Sequence, residues 1–81
     1  MGSKVAMMNI VVNDISAIDD INSILHEYRD SVIGRMGLPY RPKPMDIIIS
    51  IALDAPQGVI TELSDRIKDI EGVSVKTAFT K

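Results

Sequence analysis

The sequence of 81 residues contains no cysteine and no tryptophan, and it has only one phenylalanine, two tyrosines and one histidine. The absence of cysteine excludes disulfide bonds and thiolate metal ligands, and we expect a cytoplasmic protein. One histidine, His26, cannot by itself build a transition-metal site, so no metal is expected. No apolar run approaches the roughly 20 residues that a membrane span needs, so no membrane association is expected.

The scarcity of aromatic residues, at 4% of the chain, means that the core must be built from aliphatic side chains. We expect residues 1–4 to be a disordered N-terminus or a remnant of expression, and residues 5–81 to form a single domain. A domain of this size is marginally stable alone, and such domains often gain stability by self-association.

Charge is unevenly distributed along the chain. Residues 14–28 and 54–71 are acidic, whereas residues 29–43 carry most of the arginines. Because acidic helices repel phosphate, this pattern argues against direct nucleic acid binding.

Hydrophobic periodicity and turn residues predict six elements. In order, these are a strand over 5–12, a helix from about 14 to 28, a strand over 31–37, a strand over 46–53, a helix that Asp54 caps and Gly72 terminates, and a strand over 73–79. The βαββαβ order is typical of the α+β ferredoxin-like sandwich, with an antiparallel sheet of order 4-1-3-2 and two helices on one face. Strands 2 and 4 would then be edges.

The period of two sorts the strand residues between the helix-covered face of the sheet and the open face. It places Ile33, Arg35 and Gly37 of strand 2 on the open face, together with Met7 and Ile48. A monomer would not gain from exposing such apolar side chains, so we expect another copy of the chain to cover part of this face.

The candidate site residues of the second strand are Arg35 and its neighbouring glycines. The guanidinium of Arg35 could hold a carboxylate or a phosphate. An ion pair with a neighbouring subunit is the alternative that we favour. We expect Gly34 and Gly37 to serve backbone geometry, through close packing under a helix and then a turn or bulge.

Three further side chains are candidates for a ligand or interface contact. His26 lies near a helix C-terminus, where a surface or capping role is favoured over a functional one. Tyr40 and Arg41 belong to a proline-rich basic loop that either contacts a partner or forms a rigid connection between strands. No arrangement of catalytic residues is recognisable, and we expect a protein that is not an enzyme.

Several motifs carry a family resemblance that extends over nearly the whole chain. They are ILHEY at 24–28, IGRMG at 33–37, PYR at 39–41, DAP at 54–56 and GVSVKTA at 72–78. With these motifs the sequence resembles the ACT-like proteins that are proposed to regulate the iron-only hydrogenase system. The resemblance implies an oligomeric regulatory domain, a homodimer or homotetramer, with a role in transcription regulation and no catalytic residues.

The same family is similar in fold to amino-acid-binding ACT domains and to the metal-binding domain of the nickel-responsive repressor. Residues 12–16 lack the glycine that ACT domains place in their first turn, and the histidines and cysteine of the repressor site are missing. We therefore expect an effector or protein partner near Arg35 and residues 38–44, at a subunit interface, and the sequence names no cofactor. A structural interaction module and a direct DNA-binding regulator are the alternatives.

Overall fold

The computed structural model describes residues 2–40, 42 and 46–80 of the chain. Its elements are β1 (Lys4–Val12), α1 (Ile18–Glu27), β2 (Val32–Pro39), β3 (Ile47–Ala55), α2 (Gln57–Lys68) and β4 (Val73–Phe79). Short 3-10 turns, Ile15–Ala17 and Arg29–Ser31, lie on either side of α1. The predicted order βαββαβ is confirmed.

One antiparallel sheet holds all four strands in the order β2-β3-β1-β4, which is the predicted order 4-1-3-2 read from the other edge. The central pair is regular, with β1 and β3 aligned from Lys4 opposite Ala55 to Val12 opposite Ile47. Both helices cover one face of this sheet, as the ferredoxin-like prediction required.

The core lies between the sheet and the helices and is aliphatic, as the composition predicted. Alternate residues of the central strands are buried, and α1 and α2 each turn one stripe toward them. Each fully buried isoleucine, leucine or methionine contributes about 1.5–3 kcal/mol through removal of apolar surface from water. The largest fully buried side chains are Met8, Ile10, Ile21, Ile51, Leu53, Ile60, Leu63 and Ile67.

The start of the second helix differs from the prediction that Asp54 caps it. β3 continues to Ala55, because the alternation of buried and exposed side chains continues to that buried alanine. Asp54 therefore lies on the strand, opposite Val5. Pro56 occupies the cap position without a side-chain hydrogen bond, and its carbonyl accepts from the Val59 and Ile60 N–H groups.

Gly72 lies in the turn that follows α2, close to the position where the sequence predicted the end of that helix. Its φ of 81° is a conformation that side chains other than glycine disfavour. The Gly72 carbonyl accepts from the Asn13 N–H at 2.8 Å. The side chain of Asn13 in turn donates to the buried Asp46 carboxylate at 2.9 Å. These bonds join the segments that leave β1, α2 and the β2–β3 connection.

A β-bulge at Ile33 changes which face the residues of β2 occupy. Val32 pairs with Leu53 and Gly34 pairs with Ala52, so Ile33 is an extra residue. Beyond the bulge Arg35 lies opposite the buried Ile51, and Gly37 lies opposite the buried Ile49. The prediction that Arg35 and Gly37 occupy the open face is therefore wrong, because one inserted residue reverses the alternation.

The open face carries a largely apolar surface formed by three rows of side chains that cross the sheet. Their cross-strand pairs place Gly34, Ala52, Met7 and Ala78 in one row, Met36, Ser50, Asn9 and Lys76 in the next, and Leu38, Ile48, Val11 and Ser74 in the third. Met7 and Ile48 lie on this face as the period predicted.

Neither helix in the part of the chain that the structure describes has the length and apolar character needed to cross a membrane.

Candidate functional site

A cavity of about 360 Å³ lies between α1 and the edge strand β2. Its lining combines an apolar floor with polar and basic side chains at the rim. We call it the α1–β2 groove, and it is lined by Asn22, Leu25, His26, Arg29, Val32, Ile33, Gly34 and Arg35.

Two local features of the sequence build this groove. Asn22, His26 and Arg29 recur at a spacing of four and three residues, which places them on one side of the helix and the turn that follows it. On the opposite side, Arg35 faces α1 because it pairs with the buried Ile51 beyond the bulge at Ile33. A bulge is a known means of re-aiming a side chain beside a functional site.

Arg35 spans the groove. Its Nη2 donates a hydrogen bond to the Oδ1 atom of Asn22 at 3.0 Å. The partner is a neutral amide, so it does not compensate the charge of the guanidinium. Among the described residues, the one ion pair joins Arg66 to Glu27, and neither lines the groove. Arg35 thus presents an uncompensated charge and further N–H donors to the cavity.

Arg29 adds a second guanidinium at the C-terminal end of α1. Its Nη1 donates to the backbone carbonyl of His26 at 2.9 Å, a favourable position because that end of a helix is negative. The imidazole of His26 is exposed at the rim of the same groove. The structure thus brings together His26 and Arg35, which the sequence singled out, with Arg29 and Asn22, which it did not.

The remaining candidates lie elsewhere or outside the described residues. The N–H of Tyr40 donates to the Asp46 carbonyl at 3.1 Å just beyond the end of β2, and its side chain does not line the groove. Arg41 lies outside the described residues. A Cβ atom at Gly34 or Gly37 would meet nothing within 4 Å, so the close packing expected under a helix is not found.

A polar cluster joins the two helices outside the groove. The Arg66 guanidinium donates to both carboxylate oxygens of Glu27, at 2.9 and 3.1 Å, and lies 5.6 Å from the ring centre of Tyr28. The hydrogen bonds from Arg66 lower the pKa of Glu27, and the same contacts raise the pKa of Arg66. Tyr28 is half-buried against the core, and its hydroxyl donates to Glu62.

The corresponding position in the second half of the fold, between α2 and β4, has a smaller cavity of about 180 Å³. Its two charged lining residues, Asp65 and Lys68, have opposite signs. Within the described residues, no group of three histidine or acidic side chains is placed to hold a metal ion. The α1–β2 groove is the candidate site, and its arginines, Arg29 and Arg35, face no acidic residue among the lining residues that the structure describes.

Comparisons with known proteins give the chain a clear relative. Residues 4–77 match the model of the TM1266-like family, which is described as a proposed iron-only hydrogenase system regulator. The structure of the uncharacterized protein TM1266 from Thermotoga maritima superposes with a TM-score of 0.89 at 30% sequence identity, over 98% of this chain and 99% of that one.

More distant structures share the fold alone. A formyltetrahydrofolate deformylase from Pseudomonas putida KT2440 matches over 91% of this chain and 28% of its own, with a TM-score of 0.62 and 15% identity. CPII from Thiomonas intermedia K12, whose structure contains ADP, AMP and acetate, matches over 100% of this chain and 93% of its own, with a TM-score of 0.52 and 14% identity. No curated protein matches the chain.

Proposed function

The chain belongs to the TM1266-like family of proposed iron-only hydrogenase system regulators, and from this premise we propose that it is a non-catalytic sensor domain. A small effector binds in the α1–β2 groove, and the response is a change in how copies of the chain associate through the open face of the sheet. This is an allosteric mechanism, in which a ligand biases one assembly state over another.

The observation that carries the proposal is that β2 contributes side chains both to the α1–β2 groove and to the open face of the sheet. Arg35 of β2 enters the groove, whereas the neighbouring Met36 and Leu38 lie on the open face. The side chains of both apolar residues are about half exposed, at 56% and 47%. A ligand that repositions Arg35 therefore acts on the backbone that holds part of the association surface.

A second copy of the chain suits the open face for two reasons. The rows at its centre carry one charged side chain, Lys76, so few ionic groups would lose hydration on burial. Met7 and Met36 flank a shallow depression of about 230 Å³ over Gly34 and Ala52, and Ser50 and Arg35 also line it. In a two-fold interface the methionines of each copy can enter the depression of the other, because both copies present the same patch.

The test is the mass in solution by light scattering coupled to size-exclusion chromatography. We expect a dimer or tetramer whose mass falls for Met36→Lys, since a lysine on this face would have to be buried without a partner. Lys68→Gln, on α2, is the matched control and should keep the native mass. A native chain that is monomeric at all concentrations would overturn self-association and favour a module that binds a different protein.

Coupling between the groove and assembly is measured with Arg35→Ala, which removes the hydrogen bond to Asn22 and leaves Met7, Met36 and Leu38 of the open face in place. We expect this variant to fold and to associate, but to lose any change of mass that an effector produces. An Arg35→Ala protein that still responds to that effector as the native chain does would contradict the site.

A further inference from the structure

The lining of the α1–β2 groove restricts the chemical class of the effector, and this step rests on the function proposed above. We propose that the groove binds a small carboxylate with a branched aliphatic body and no ammonium group. The carboxylate pairs with the Arg35 guanidinium, and the aliphatic body lies on the apolar floor.

The charge of the groove selects an anion. Arg29 and Arg35 both line it. Arg29 donates a hydrogen bond to the His26 carbonyl, and Arg35 donates one to the Asn22 amide oxygen, so both acceptors are neutral. No acidic residue is among the lining residues that the structure describes. A planar guanidinium pairs with a carboxylate through two parallel N–H···O bonds, which match its geometry.

The position of the groove disfavours a phosphate. Phosphate groups are commonly held by the free N–H groups and positive end of a helix N-terminus. This groove lies instead beside the C-terminal turn of α1. The helix dipole is negative there, and the His26 carbonyl accepts a hydrogen bond from Arg29. The Arg29 guanidinium is bound at that helix end, so a single negative charge is tolerated there better than two.

The floor of the groove selects the remainder of the ligand. Leu25, Val32 and Ile33 supply an apolar surface, and Ile33 is 63% exposed because the bulge holds it out of the core. A branched aliphatic group would cover these side chains. An α-ammonium group would be placed against two arginines without a carboxylate to receive it, so an amino acid is disfavoured relative to the acid that lacks its amine.

The test uses isovalerate as the probe, with leucine, isoamylamine and inorganic phosphate as comparisons of matched size or charge. Two-dimensional NMR of the labelled full chain would follow the Leu25, Val32 and Ile33 methyl groups and the Arg35 Nε–H. We expect isovalerate to shift these signals with saturation and at least tenfold more tightly than any of the three comparisons. Arg35→Gln should weaken isovalerate binding about tenfold, and Lys68→Gln should leave it unchanged.

The outcomes separate this inference from the proposed function. Equal or tighter binding of leucine or phosphate at the same signals would overturn the ligand class, and so would the absence of saturable shifts with isovalerate. Light scattering on the same samples reports the coupling to assembly. Saturable isovalerate binding without a change of mass would support the ligand class and contradict the allosteric function.

Discussion

Arg35 reaches Asn22 across the α1–β2 groove, with 3.0 Å between its Nη2 atom and the amide oxygen. Arg35 lies on the side of the helices because it pairs with the buried Ile51, and the extra residue Ile33 lets Val32 pair with Leu53 on that same side. The candidate site is therefore a product of strand pairing as much as of residue type.

Deletion of Ile33 tests this relationship. Because Val32 and Gly34 already pair with adjacent residues of β3, removal of Ile33 should close the bulge and leave every other pair in place. We expect a folded protein whose β2 amides remain protected from hydrogen exchange and in which Arg35 still faces α1. Deletion of Ser50 in the central strand is the contrasting case, since it reverses the faces of half of β3 and should prevent folding. Loss of β2 protection in the Ile33 deletion would show that the bulge is misplaced.

The bulge also marks where prediction from sequence succeeded and where it failed. Buried and exposed side chains alternate along β1 and β3, and along β4 as far as Ala78, so their period of two predicts the correct faces and most of the core. In β2 both faces of the strand carry apolar and small residues, so there is no alternation to define them. Nothing in the sequence VIGRMG identifies Ile33 as the unpaired residue. The extra residue is defined only by pairing with β3, which is a long-range contact.

The groove could be predicted only in part for the same reason. Arg35 was recognised from its residue type, but on the wrong face. Asn22 and Arg29 have helical spacing to His26, a signal that was present in the sequence. This spacing indicates a binding site only when β2 is known to lie beside α1, with Arg35 directed toward the helix.

Among the glycines of the described residues, Gly72 is the one whose backbone conformation and surroundings both disfavour a side chain. Its φ is 81°, and a Cβ atom there would lie 2.6 Å from the Cβ of Asp14. We expect Gly72→Ala to lower the free energy of unfolding by at least about 1–2 kcal/mol, from the backbone conformation alone. Urea denaturation monitored by circular dichroism measures it. Gly37→Ala is the control, with open space around its Cβ and an expected change within about 0.5 kcal/mol. Equal losses in the two variants would contradict the turn geometry.

Two isoleucines of the α1 region should differ sharply in their contribution to stability. Ile21 is fully buried between helix and sheet, whereas Ile15 is 55% exposed. Ile21→Ala should cost about 2–5 kcal/mol, because it removes buried methyl groups and leaves a cavity. Ile15→Ala should change stability by less than about 1 kcal/mol. The same denaturation experiment compares them, and a comparable loss at Ile15 would indicate that an interface covers it.

The Arg66–Glu27 pair should make a small contribution to stability that depends on pH and salt. The pKa of Glu27 is lowered from its ordinary value of 4.5 in the folded protein, chiefly by the hydrogen bonds from Arg66. The folded state therefore binds the Glu27 proton more weakly than the unfolded state does. The stabilisation is present above about pH 4.5 and is lost as the pH falls through the lowered pKa.

Arg66→Gln should accordingly be less stable than the native chain at pH 7, but nearly equal to it at pH 3 or in 1 M salt. Arg29→Gln is the control, because its guanidinium donates to a neutral carbonyl and its effect should not follow the titration of a carboxylate. A difference for Arg66→Gln that is as large at pH 3 as at pH 7 would show that packing on Tyr28, and not the ion pair, is what Arg66 contributes.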